Sequence, residues 1–284
     1  MSRWHADRWL APPLLVLAVG AAVILLFVLA FLLREAWPVL AGGGAGHFIT
    51  DDSWYPLEGH FGLLPMVWAT LAAACGALVL AAPLGLGSAI FQHFYAPPAL
   101  AKLYRSVLAL LAGIPSVVYG LWGLTVLVPL IVRWQPPGAS LLAAILILAL
   151  MILPTVALTS AAALRAVPAS MLHGAAALGL TRKGIILGVA VPAARGGILG
   201  GMLLAATRAL GETMAVLMVA GNVVQNPTGL FEPVRVLTAN IALEMAYATG
   251  SHRAALFASG LLLTVLVLAL AWLGARLVGN VRHV

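Results

Sequence analysis

The sequence predicts an all-α protein that crosses a membrane six times. Of its 284 residues, 63% are hydrophobic and only 8% are charged, whereas a soluble protein carries about 25% charged residues. Six apolar runs are each long enough to cross the hydrocarbon of a bilayer, which takes about 20 residues. They cover residues 12–33, 63–90, 106–132, 140–163, 196–220 and 254–275. This composition excludes a sizeable soluble domain.

The first apolar run is expected to remain as a span. It follows Arg3 and Arg8, as a signal peptide would, but no small-residue cleavage site comes after it. We therefore assign residues 1–62 to a tail, the first span and an outer loop, and residues 63–284 to a five-helix core. Gly42–Gly46 in the loop lacks the Lys-Ser/Thr ending of a phosphate-cradling loop and indicates flexibility. No stretch has the P-loop pattern, so ATP, if used, must bind another chain.

Charge placement predicts the orientation. If both termini are inside, ten basic residues lie in inner segments and four in outer segments, the bias expected of cytoplasmic loops. The inner ones are Arg3, Arg8, Lys102, Arg105, Arg165, Arg182, Lys183, Arg195, Arg276 and Arg282, and the outer ones are Arg34, Arg133, Arg235 and Arg253. The net charge of +7 follows from this topology and requires no nucleic acid.

The fifth run contains the most informative pair of residues, Arg208 and Glu212. A charge at the centre of a membrane helix costs roughly 2.5–3.5 kcal/mol on insertion scales, so such a residue is a candidate functional site. At i and i+4 of one helix the two side chains share a face and can pair. They then form either an ion pair that fixes helix packing or a polar binding position on the path of a charged solute. Arginine is the residue type suited to an oxyanion.

Two groups of backbone-shaping residues accompany this pair. The fifth run opens with glycines that form overlapping small-xxx-small pairs and predict close packing against other helices, namely Gly196, Gly197, Gly200 and Gly201. In the third run, Gly113-Ile114-Pro115-Ser116 predicts a bend. That bend serves either to expose carbonyl groups to a cavity or to pack the helix.

The longest inner connection, residues 165–195, is predicted to contain a short helix. Apolar residues have helical spacing after Pro168, and Gly179 can end the helix. A short, partly apolar helix is unstable alone and fits a docking element for another protein. The alternative, a helix lying on the lipid surface, is less favoured because the segment carries little charge.

This connection resembles the coupling loop of ATP-binding-cassette (ABC) importer permeases. The family pattern is E-A-A, three residues, Gly, nine residues, then I-x-L-P. The matching positions here are His173, Gly174, Ala175, Gly179 and the segment from Val189 to Pro192. His173 stands where the family usually has Glu.

A narrower resemblance covers the chain from about residue 31 to its end. The segments Leu33–Pro38, Leu111–Gly120 and Arg208–Val216, the last followed by Gly221-Asn222, are similar to the PstC-type permease of the phosphate-specific importer. The sister PstA type typically reads R-A-x-G-E-T-A-P in the fifth span. Met214-Ala215 at the end of that motif favours the PstC type.

The resemblance implies a type I ABC importer permease (MetI-like) fold in a bacterial inner membrane, without catalytic residues, metal or cofactor in this chain. It implies a PstA-type sister permease, a pair of PstB-type ATPase subunits, a periplasmic PstS-type phosphate-binding protein, and phosphate as the solute. The residues expected to serve translocation are Arg208, Glu212, Thr213 and Ser116. Those expected to couple to the ATPase are His173, Gly174, Ala175, Gly179, Val189 and Pro192.

Two roles are open for Glu212. It neutralises Arg208 in the resting state, which we favour, or it accepts a hydrogen bond from protonated phosphate, which sulfate cannot donate at neutral pH. Other functions also remain open at this point. A sulfate, molybdate or amino-acid importer would share the coupling loop, and a secondary transporter would often show inverted repeats, which we do not detect. A membrane-embedded enzyme would need a cluster of inner acids or histidines, and Asp7 is the only acid predicted there.

Overall fold

The computed structural model describes residues 4–41 and 45–281, without the side chains of residues 4–9, 45, 47, 49 and 277–281. Arg3, Arg282 and most of the predicted flexible loop (residues 42–44) lie outside the described residues, as do the side chains of Asp7 and Arg8. The described part is predominantly helical, and its sheet is a two-stranded antiparallel hairpin in which Trp54 pairs with Phe61.

Thirteen α-helices and two strands follow one another in the described residues. In chain order they are α1 (Trp4–Val39), α2 (Ala45–Thr50), β1 (Trp54–Tyr55), β2 (His60–Phe61), α3 (Leu64–Ile90), α4 (Pro98–Gly113), α5 (Ser116–Trp122), α6 (Val128–Val132), α7 (Leu141–Arg165), α8 (Ala169–Ala177), α9 (Arg182–Ile185), α10 (Val191–Leu210), α11 (Met214–Val219), α12 (Leu237–Glu244) and α13 (Gly250–Val281). One π-helical segment, Phe91–Tyr95, extends α3, and two others, Gly123–Leu127 and Ile186–Ala190, join α5 to α6 and α9 to α10. Each joined pair forms one rod.

Five helical stretches are long and apolar enough to cross a membrane. They are Leu10–Val39, Leu64–Tyr95, Leu141–Arg165, Arg182–Leu210 and Gly250–Arg276. A sixth crossing is broken: α4 and the α5–α6 rod meet at 90°. Because α3 ends and α7 begins at opposite ends of the bundle, this bent pair must connect the two ends. The predicted count of six spans is therefore confirmed.

The third span differs from its prediction in shape. The apolar run at 106–132 is not one straight helix, because α4 begins at Pro98 and the chain turns sharply after Gly113. Ile114 is extended (ψ 130°), the conformation that a following proline favours. The predicted bend is thus confirmed. The hydropathy of the run does not reveal it, because the helices on both sides of the bend are apolar.

The buried core forms three levels along the bundle. The central cluster involves α3, α7, α10 and α11, with Ile147 and Met151 of α7 fully buried. A second cluster joins the hairpin and α2 to α12 and α13, and we call this side the hairpin end. A third joins Ala89, Leu164 and Ala194 near α8, and we call this side the α8 end. The central helix α7 thereby connects both ends.

The first span lies at the edge of the bundle. Its large apolar side chains from Leu10 to Phe27 are exposed all round, which is the pattern of a helix surrounded by lipid. It contacts α13 further along, where Ala36 is buried and the rings of Phe31 and Phe257 meet edge to face at 5.6 Å. This exposed apolar surface fits a span whose outer face lies in the membrane.

Candidate functional site

The fifth span is interrupted beside the predicted site. Helix α10 ends at Leu210, and α11 begins only at Met214. The new helix start is capped by Glu212, whose carboxylate Oε1 accepts a hydrogen bond from the backbone N–H of Ala215 at 3.2 Å. A carboxylate in this position satisfies one of the free N–H groups of the first turn. The predicted continuous helix over 196–220 is therefore wrong.

The expected pairing of Arg208 with Glu212 is not found. The break turns the Glu212 side chain onto α11, while Arg208 stays in the last turn of α10, where a cation is favoured by the helix dipole. In the described part of the chain, Arg208 has no carboxylate in ion-pair range, and its nearest polar partner is Thr155 of α7, with Nη1 and Oγ1 3.4 Å apart. The spacing of four residues predicts a shared face only within an unbroken helix.

The contact with Thr155 places Arg208 near the middle of the membrane. Thr155 lies ten residues from the Arg165 end of α7, or about 15 Å, and 14 residues from the Leu141 end, or about 21 Å. The near-midplane position expected for Arg208 is therefore supported. Arg208 is only partly buried, so its side chain is not sealed inside the bundle.

Two glycines set the depth at which α10 lies against α7. A Cβ atom added to Gly197 would come within 2.6 Å of the Ala163 Cβ, and one added to Gly201 would overlap the Thr159 hydroxyl. The predicted close packing is confirmed at these positions, whereas Gly200 faces open space. Gly201 and Arg208 are seven residues apart, which is about two turns, so the same face of α10 carries both. The glycine contact therefore positions the arginine.

Helix α5 forms another wall of the site. The Tyr119 hydroxyl of this helix donates a hydrogen bond to the Leu111 carbonyl at 2.9 Å, across the bend. Ser116 begins α5 one turn before Tyr119 and is half-buried. The bend in the third span is thus bridged by a side-chain hydrogen bond, and Ser116 lies directly after it.

The interruption in the fifth span is itself held from two sides. Gly120 of α5 packs so closely on α11 that an added Cβ would lie 2.9 Å from the Ala215 Cα. On the other side, the Thr238 hydroxyl donates to the Glu212 carbonyl at 2.8 Å. Thr213 is half-buried within the interruption. Glu212 and Thr213 therefore lie in the interruption between α10 and α11, Arg208 lies in the last turn of α10, and Ser116 begins α5. Their joint role in translocation stays a prediction.

The predicted coupling helix is present at the α8 end. Helix α8 starts after Pro168 and stops before Gly179, which has the left-handed φ of +80° that glycine favours. His173, Gly174 and Gly179 are exposed, while Ala175 is buried against the bundle. Leu178 is 82% exposed. The outer face of α8 thus offers an apolar and polar surface to a partner.

The rest of the predicted loop is helical instead. The rod of the fifth span already begins at Arg182, so Val189 lies in its π-helical segment and Pro192 in the first turn of α10. Pro192 has no N–H to donate, and the π-helical turn accommodates the missing hydrogen bond. The connection outside the bundle is correspondingly shorter than the predicted 165–195. Hydropathy underestimated the rod because its first turns lie beyond the most apolar stretch.

Comparison with known proteins decides what this arrangement is. The family model of the binding-protein-dependent transport system inner membrane component matches residues 81–283. The chain belongs to this permease family. It is 35% identical to the phosphate transport system permease protein PstC of Mesorhizobium japonicum, over 94% of this chain and 88% of that protein. It is 40% identical to the probable ABC transporter permease protein YqgH of Bacillus subtilis, over 81% of this chain and 77% of that protein.

Solved structures give the same result for the fold. The permease of an inward-facing MetNI methionine ABC transporter matches with a TM-score of 0.63 at 22% identity, over 81% of this chain and 99% of that one. An amino acid ABC transporter matches with a TM-score of 0.55 at 18% identity, over 74% and 90%. These identities are low, so they show the fold alone. The expected MetI-like permease fold is confirmed.

A second charged cluster at the hairpin end was not predicted. The Glu244 carboxylate, with its side chain 9% exposed, forms an ion pair with Arg235 and a hydrogen bond of 2.8 Å with His252. It also accepts a hydrogen bond from the Trp54 indole at 2.9 Å. Arg235 in turn donates to the Asn240 side chain at 3.1 Å. Trp54 and Glu244 are 190 positions apart, so no local sequence pattern could reveal that their side chains meet.

Proposed function

We propose that this chain is one transmembrane half of an ATP-driven importer of inorganic phosphate. The observation that carries the proposal is the Arg208 guanidinium, which lies near the membrane midplane without a carboxylate partner in the described residues. An unpaired arginine there is costly, and a passing oxyanion would supply the missing charge. The names of relatives such as the Mesorhizobium PstC support phosphate as that anion.

The partners follow from the same proposal. We place α8 and both termini in the cytoplasm of a bacterium, as the distribution of basic residues favours. A pair of PstB-type ATPase subunits would dock at α8, a PstA-type sister permease would complete the path, and a PstS-type protein would deliver phosphate at the hairpin end. ATP hydrolysis would belong to the ATPase chains, and this chain would carry no cofactor.

The rod of the fifth span provides a route from α8 to the site. It runs without interruption from Arg182 to Leu210, so Arg208 lies about 39 Å along it. Helix α8 packs on the first turn of this rod and on the π-helical segment of the rod. A push on α8 would therefore move the arginine relative to the interruption at Glu212. The energy would come from the difference in nucleotide affinity between the inward- and outward-facing states.

Binding at Arg208 should be weak, because conduction requires release as well as entry. The hydroxyl group of Thr155 would assist the guanidinium in replacing part of the hydration shell of phosphate. Glu212 faces α11 in this structure, so its role as resting partner of Arg208 is not observed here. Its alternative role, as acceptor for the proton of phosphate, remains a hypothesis.

The test is ATP-driven uptake of labelled phosphate into vesicles that hold this chain with its partner subunits. Excess unlabelled phosphate, sulfate or molybdate is added in parallel. Suppression by phosphate alone is the expected result. Suppression by sulfate or molybdate would favour a permease for another oxyanion. Uptake that needs no ATP would point to a secondary transporter and overturn the proposal.

A further inference from the structure

A polar cavity lies at the α8 end, away from Arg208. It has a volume of about 490 Å³ and lies between the end of α3, the first turns of α4 and the end of α7. Its polar lining consists of Gln92, His93, Lys102, Arg105, Ser106 and Arg165. This volume is in the range of small-ligand sites, roughly 300–1,000 Å³.

The cavity is positively charged. Lys102, Arg105 and Arg165 line it, and no acidic residue does. None of the three cations forms an ion pair within the described residues. Arg105 and Arg165 line the same cavity, so their like charges repel each other. A bound anion would relieve this repulsion.

The frame of the cavity is fixed by hydrogen bonds between α4 and the end of α3. The Gln92 side chain is buried, with 5% of its surface exposed, and its Nε2 donates to the Ala101 carbonyl at 3.2 Å. Ser88 and Tyr104 form a second link of 2.8 Å between their hydroxyl groups. In the described part of the chain, Gln92 Oε1 has no hydrogen-bond partner. The wall therefore contains an unsatisfied acceptor as well as the cations.

The position of the cavity relative to the membrane indicates which class of ligand it can bind. Arg165 is the last residue of the α7 span, so the cavity lies at the boundary of the hydrocarbon layer. Next to the lining residues in the chain, the apolar side chains of Phe91 and Leu103 are exposed. Two guanidinium groups and an ammonium group match the oxygen atoms of a phosphate group. We propose that this cavity binds a phosphate group, supplied by an anionic phospholipid or by free phosphate.

This proposal does not depend on which solute the permease transports, and it is tested by binding alone. The purified full chain is offered phosphatidylglycerol or phosphatidylcholine and examined by native mass spectrometry. In a separate arm it is offered labelled inorganic phosphate in equilibrium dialysis. The cavity variant is Arg105→Gln with Arg165→Gln. The matched control, Lys183→Gln with Arg195→Gln, removes the same charge from two exposed residues that do not line the cavity.

The expected result is that the cavity variant binds phosphatidylglycerol or inorganic phosphate about tenfold more weakly than both wild type and control, the scale of lost charge-assisted hydrogen bonds. The arm that shows the loss identifies the source of the phosphate group. Equal binding by the cavity and control variants in both arms would overturn the proposal, since the cations would then be only a solvated charged surface. If the double variant does not fold, Lys102→Gln is compared with Lys183→Gln under the same criteria.

Discussion

The permease contains two sites where an arginine and a glutamate lie close in sequence, and the two sites differ in burial and in pairing. At the hairpin end, Glu244 is buried and accepts hydrogen bonds or ion pairs from Arg235, His252 and Trp54. Near the midplane, Arg208 and Glu212 are both half-buried and turned apart. The first pair joins four segments of the chain, whereas the second leaves a cation available.

The comparison shows that closeness in sequence is a poor guide to pairing. Arg208 and Glu212 are one helical turn apart, yet the helix ends between them. Arg235 and Glu244 are nine residues apart on different elements and form the ion pair. Glu244 therefore links distant segments of the fold, whereas Arg208 has no carboxylate partner among the described residues.

The largest expected effect on stability comes from Glu244→Ala. The substitution would leave Arg235 and the Trp54 indole without their acceptor, and breaking a buried ion pair costs about 3–5 kcal/mol. The free energy of unfolding of the full chain in detergent, from a denaturant titration, measures this loss. Glu232→Ala is the matched control, since its carboxylate accepts hydrogen bonds from Thr228 of the same loop and forms no ion pair within the described residues. A loss no larger than that of the control would contradict a structural role for the Glu244 cluster.

Gly201→Val is expected to have the next largest effect. The added side chain would overlap Thr159 and push α10 away from α7, and overpacking of this kind costs about 1–3 kcal/mol. Thermal unfolding of the full chain would report the stability loss, and vesicle uptake would report displacement of Arg208. Gly200→Val should do neither, because that glycine faces open space. Similar results for the two variants would show that the glycine contact does not position the arginine.

Two substitutions at Glu212 test separately its role as a helix cap and the role of its negative charge. Glu212→Ala removes the cap of α11 and is expected to cost about 1 kcal/mol. Glu212→Gln keeps an oxygen acceptor for the Ala215 N–H and should leave stability nearly unchanged. If the carboxylate accepts the proton of phosphate, the Gln variant will transport sulfate better relative to phosphate. Unchanged selectivity in an active Gln variant would exclude that role.

The smallest effect is expected at the half-buried Glu232, which is bonded within its own loop. Hydrogen bonds from the Thr228 hydroxyl and backbone lower the pKa of this carboxyl below its ordinary value. The lowered pKa means that its contribution to stability is complete above the ordinary pKa and is lost as the pH falls through the folded value. Thr228→Val should therefore flatten the acid side of the stability profile slightly. A profile that matches wild type would show that this loop contact is broken in solution.

The sequence predicted the features that depend on local chemistry. Composition and charge placement gave the six spans, and Pro168 with Gly179 bounded α8, because each of these signals acts within a few residues. The interruption at Gly211–Thr213 was missed, since the apolar run continues through it and the glycine alone is weak evidence. The Glu244 cluster was missed because its partners are brought together only by the folded bundle.

In contrast to Arg235, Arg208 is proposed to lack a carboxylate partner because it binds an anion. The most direct measurement is ATP-driven uptake of labelled phosphate by complexes that carry Arg208→Gln, compared with wild type at equal amounts of assembled complex. If Arg208 binds the anion, we expect uptake to fall by about 10- to 100-fold, the scale of lost charge-assisted hydrogen bonds. The unfolding midpoint of the purified chain should stay near that of wild type. Normal uptake, or a loss of uptake that merely follows a loss of folded protein, would contradict it.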